Sequence, residues 1–79
     1  MTCTIYSRSG QALSQGRLCI QKEKNDRLRL IYKSNNGNEI AGGIIPEDGD
    51  LEAATDELFD AFFQAWGMVD LTMATTVKG

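Results

Sequence analysis

PEDGDLEAATDELFDAFFQAWG, from Pro46 to Gly67, is the stretch on which the fold turns. At about 100° per residue, Leu51, Ala54, Leu58, Phe62, Ala65 and Trp66 collect on one broad face. Asp56, Glu57, Asp60 and Gln64 fall on the opposite one. Asp50 is placed to cap the free N–H groups at the start, and Glu52 sits in the first turn, where the helix dipole favours an anion. Gly67 supplies the left-handed residue that ends a helix. The pattern predicts a helix over about 51–66, apolar on one side and acidic on the other.

The flanking segments read as strands. Thr2–Ser7 (TCTIYS), Arg17–Glu23 (RLCIQKE), Arg27–Ser34 (RLRLIYKS), Glu39–Ile45 (EIAGGII) and Met68–Val77 (MVDLTMATTV) are short and largely alternating, with β-branched residues scattered through them. Arg8–Gly16 is polar with two glycines and reads as a loop. Asn36-Gly37 between two strands signals a hairpin. Gly42 and Gly43 inside a strand signal a bulge or a close backbone approach. The expected fold is α+β: one 1–79 domain, an antiparallel sheet of four to five strands, and one α-helix on one face. Leu18, Ile20, Leu28 and Leu30 are expected in the core with Leu58, Phe62 and Trp66. In the last strand, Val69, Leu71 and Met73 are expected to face it. Lys78 and Gly79 are expected to fray.

Composition narrows the classes. An apolar fraction of 42% is too high for a disordered chain, and no run of 18 apolar residues offers a membrane span. The N-terminal MTCTIYSRSGQ lacks the basic start and apolar core of a signal peptide, so a cytoplasmic protein is expected. There is no histidine, the commonest general base, and no phosphate-loop, dinucleotide or nucleophile-elbow motif, so no catalytic residue is assigned. Cys3 and Cys19 lack the companions of a four-ligand zinc site, and no cofactor or metal is assigned. Reduced thiols inside the fold, or a disulfide between neighbouring strands, are the two readings open to them. Asp48, Asp50 and Glu52 suit a hard cation by type but lack the spacing of an EF-hand loop.

Charge is divided along the chain. Residues 1–38 carry seven basic and two acidic groups, a balance of +5, and residues 39–79 carry one basic and nine acidic groups, a balance of −8. Seven carboxylates fall between Glu47 and Asp60 with no intervening base. A solvated helix surface usually interleaves lysine at i,i+4, and this one has none. Glu52, Asp56, Glu57 and Asp60 are therefore the candidate contacts for a basic protein surface. Phe63 projects from the apolar face onto their border as an aromatic anchor. A helix on one face leaves the other open, carrying Arg17, Gln21, Arg29 and Lys33, with Tyr6 a further candidate there. That face is the basis of the alternative, a small nucleic-acid-binding module. A structural subunit that dimerises is the third reading.

The short acidic α+β layout, with TCTIYS, RLCIQKE and RLRLIYKS followed by DLEAATDELFDAFFQAWG, resembles the small anti-CRISPR proteins of phages and mobile elements. The likeness lies in layout and composition, with no shared motif, so no residue role carries over. It implies a stoichiometric inhibitor, monomeric or homodimeric, that binds a Cas protein or a crRNA-guided complex in the host cytoplasm.

Overall fold

The computed structural model describes residues 1–76. The element order is β1 (Thr2–Tyr6), β2 (Ala12–Lys22), β3 (Leu28–Ser34), β4 (Glu39–Ile45), α1 (Glu52–Trp66) and β5 (Thr72–Thr76). The strands form one antiparallel sheet in the order β4-β3-β2-β1-β5. The helix lies across β4 and β3, so the fold is α+β as expected from sequence.

Local chemistry sets these elements. The three hairpins share one turn, in which the fourth residue is left-handed: Gly10 (φ 87°), Asp26 (φ 59°) and Gly37 (φ 96°). Cross-turn bonds from Ser7 N to Gln11 O, Glu23 N to Arg27 O and Ser34 N to Asn38 O close them. In the Asn36-Gly37 turn only the glycine has positive φ, so the loop is longer than the two-residue primed turn the dipeptide suggests. Helix α1 opens with the Glu52 N–H donating to Asp50 Oδ1 at 2.9 Å, while Leu51 holds the N-cap position. It closes at Gly67 (φ 67°), whose N–H reaches Phe63 O at 2.7 Å. The C-terminal signal operates as read, whereas Asp50 stands one residue before the N-cap and accepts the Glu52 N–H from there.

Between Arg29 and Ile31 the register with β4 shifts, and Gly42 and Gly43 occupy that bulge. A methyl group on Gly42 would come within 2.9 Å of Leu58 Cβ and 3.1 Å of Ala54 O. On Gly43 it would overlap the Glu57 carboxylate. The two glycines let α1 approach the β4 backbone, which a side chain on either would prevent.

The core lies under the helix: Cys3, Ile5, Leu30, Tyr32, Ile45, Ala54, Leu58 and Phe62. Phe62 is its centre, stacked on Trp66 at 4.8 Å and edge-on to Phe59 at 5.8 Å. Leu30, Leu58 and Phe62 are buried as expected. Ile20 and Leu28 are not, with 58% and 41% of their surface exposed. Leu18 and Trp66 are half-buried, and Leu51 and Ala65 are exposed. The reason is geometric: α1 rests on β4 and β3 and leaves β2, with Ile20, uncovered, while Leu28 stands at the first position of β3, opposite exposed Lys22.

Two element boundaries also differ. β2 begins at Ala12, because its first half pairs with β1 and its second with β3. β5 begins at Thr72, not Met68. From β3 to β5 are three inter-strand spacings, roughly 14 Å, and the chain leaving the helix uses residues 67–71 toward that far edge. Val69, expected to face the core, is therefore 64% exposed, while Leu71 and Met73 pack against the core. Residues 77–79, including the expected strand end and fraying tail, lie outside the described residues. No helix among the described residues is long and apolar enough to cross a membrane.

Candidate functional site

The outer surface of α1 follows from helix geometry. Glu52, Asp56, Asp60 and Phe63 recur at i, i+4, i+8 and i+11, one stripe along the side away from the sheet. All four are exposed, Phe63 by 46%. Glu57, assigned to the same group from sequence, is also exposed, but it lies about 100° around the helix from Asp56. Its carboxylate hangs over Gly43 at the β4 edge. The structure thus brings four of the five candidates into one stripe and turns the fifth toward the opposite flank.

Phe63 does not stand alone. With Phe59, Met68, Val69 and Leu71 it lines an open depression of about 360 Å³, rimmed by Asp60 and Asp70. Met68 and Val69 are 43% and 64% exposed, a large apolar surface for two adjacent residues. Sequence reading assigned Val69 inward because MVDLTM alternates. The contrary signals were Gly67, which stops the helix, and Asp70, whose backbone is left-handed (φ 58°).

Charge partners separate the two faces of the molecule. Among the described residues the ion pairs are Arg8–Asp70 at 3.8 Å, Lys22–Asp26 at 3.2 Å, Lys33–Glu39 at 3.3 Å and Arg29–Glu23. None involves a carboxylate of α1. Upstream of the helix, Asp48 and Asp50 each accept a backbone N–H, from Asp50 at 3.0 Å and Glu52 at 2.9 Å. These are turn interactions.

The open sheet face is built as expected, with Arg17 opposite Lys33 and Gln21 opposite Arg29. Its charge, however, is largely consumed inside the chain. Arg29 is held by Glu23 and donates from Nη1 to Gly42 O at 2.8 Å, bridging the bulge. Lys33 faces Glu39. Arg17 alone of the three has no ion pair among the described residues. Ile31, near the middle of this face between Cys19 and Ala41, is only 5% exposed beneath its neighbours.

The cysteines are both free. Cys3 is in register with Gly16, and Cys19 lies three residues further along the same strand. An odd offset turns the two side chains to opposite faces of the sheet, so no disulfide joins them. Burial pushes the Cys3 thiol up to about 11. Burial likewise raises the Tyr32 phenol, against the lowering effect of its 2.6 Å hydrogen bond with Ser14. Comparison of the chain with protein families, with curated proteins and with solved structures finds no match.

Proposed function

We propose that this chain is a non-enzymatic binding protein that engages a basic protein surface through the outer stripe of α1. One observation carries the reading. Glu52, Asp56 and Asp60 are exposed with no ion pair among the described residues, beside an apolar depression edged by Phe63. Among the described residues, four of the seven basic side chains, Arg8, Lys22, Arg29 and Lys33, are matched by a carboxylate. A run of unmatched like charge costs the isolated helix a little through i,i+4 repulsion, and a cationic partner would remove that cost. An aromatic side chain at an apolar depression is also the kind of residue that anchors interfaces.

In the form suggested by the anti-CRISPR resemblance, the partner is a Cas protein or a crRNA-guided complex. The acidic stripe would occupy a lysine- and arginine-rich channel in the host cytoplasm. The alternative use of the open sheet on nucleic acid is weakened by the Arg29–Glu23 and Lys33–Glu39 pairs, which leave little free cation there. Titration with single-stranded and duplex RNA and DNA over a range of salt separates the two. The protein-binding reading expects no association. Binding that weakens steeply with salt would replace it with the nucleic-acid reading.

A further inference from the structure

We propose that two copies of this chain pair antiparallel through β5, joining their sheets edge to edge. The inference rests on the β5 edge and not on the charges of the helix stripe.

The sheet ends in two strands, and they are not equivalent. The β4 edge is interrupted by the bulge at Gly42–Gly43, and Arg29 takes the Gly42 carbonyl. Bulges of this kind bend an edge away from an incoming strand. Among the described residues, β5 carries no such device. Its five residues, Thr72–Thr76, pair with β1 without a register shift, so their outer side is an equally regular row of backbone donors and acceptors. The strand contains no charge and no proline.

The edge is also complementary to itself. In a two-fold pairing about Ala74, Thr72 of one copy falls opposite Thr76 of the other, Met73 opposite Thr75, and Ala74 opposite Ala74. No like charges meet across that pairing. Ala74 and Thr75 are exposed.

The occupant this edge matches is a second copy of itself: the backbone pairs in register about Ala74 and sets no charge against charge.

Analytical ultracentrifugation of the full chain across the micromolar range tests this. The expected result is a concentration-dependent dimer. Ala74→Lys and Ala74→Glu should each raise its dissociation constant at least about tenfold, because like charges then face each other across the two-fold. Mixing the two variants should restore association, since the lysine of one chain meets the glutamate of the other. Unchanged thermal melts establish that both variants fold. Hydrogen exchange on the unmodified chain gives a second reading, with β5 amides more protected at high concentration. A chain monomeric at every concentration overturns the proposal. So does a dimer indifferent to both substitutions, or a mixture that associates no better than either variant alone.

Discussion

Tyr32 and Phe62 meet edge to face, with ring centroids 5.4 Å apart and planes at 89°. This contact ties the helix to β3, beside the β4 edge, and both side chains are fully buried. Phe62→Ala should cost about 3–5 kcal/mol in chemical denaturation. Tyr32→Phe keeps the ring contact and removes the 2.6 Å hydrogen bond to Ser14, so it should cost about 1 kcal/mol. A Phe62→Ala protein that melts like the parent would contradict the placement of α1 on β3.

The glycines of the bulge should be unequal. At Gly42 an added methyl meets Leu58 Cβ at 2.9 Å and two carbonyl oxygens, of Ala54 and Leu30, at 3.1 Å. Those neighbours are backbone or close to it and cannot swing away. At Gly43 the nearest obstacle is the flexible Glu57 carboxylate, with Ala54 Cα behind it at 3.0 Å. Gly42→Ala should therefore destabilise more than Gly43→Ala. Glu57→Ala should recover part of the Gly43→Ala loss. A double-mutant cycle by thermal melting measures that coupling, and strict additivity would show that Glu57 does not close over Gly43.

Thiol chemistry should distinguish the two faces of the sheet. Cys19, half-buried on the open face, should react with a thiol reagent in the native state well before the buried Cys3. Reducing agent should leave the melting temperature unchanged, since no disulfide exists to break.

Alkaline pH should unfold the protein through the same buried group. Cys3 ionises near 11 in the fold against an ordinary 9.0. Its contribution is thus fully present below about pH 9. Above that the unfolded chain releases the proton first, and stability falls until about pH 11. The slope for one proton is at most about 1.4 kcal/mol per pH unit. The raised Tyr32 phenol adds in the same direction. Cys3→Ala should flatten the fall between pH 9 and 11, and an unchanged slope would show that Cys3 is not its source.

Much of this architecture is legible in the sequence because local signals agree with one another. Asp50, the apolar spacing of Ala54, Leu58 and Phe62, and Gly67 define the helix without help from the sheet. Glu39–Ile45 is a strand whose two glycines announce the close approach that the helix makes. What is not legible is lateral position. Ile20 and Leu28 alternate correctly for the helix-covered side, yet they are exposed, because nothing in a strand pattern says how far along the sheet the helix sits. Met68 and Val69 look like strand residues, but the crossing to the far edge requires them as linker. Glu57 sits one residue from Asp56 and so turns to the other flank. Arg29 and Lys33 read as free cations until folding brings Glu23 and Glu39 beside them.

The central claim rests on the outer stripe of α1, and charge reversal there tests it most directly. Asp56→Lys with Asp60→Lys changes two exposed side chains and should alter stability by no more than about 0.5 kcal/mol. The control belongs on the open sheet, at Arg17→Glu with Lys33→Glu. Arg29 is unsuited, because it holds the β4 bulge through Gly42 O. Affinity for the basic partner, a Cas protein or crRNA-guided complex, should be abolished by the helix reversal, where like charges then face each other at a cost of several kcal/mol, and kept by the sheet reversal. Phe63→Ala should weaken it with little dependence on salt. Binding that survives the helix reversal and is lost with the sheet reversal would contradict the account and assign the function to the opposite face.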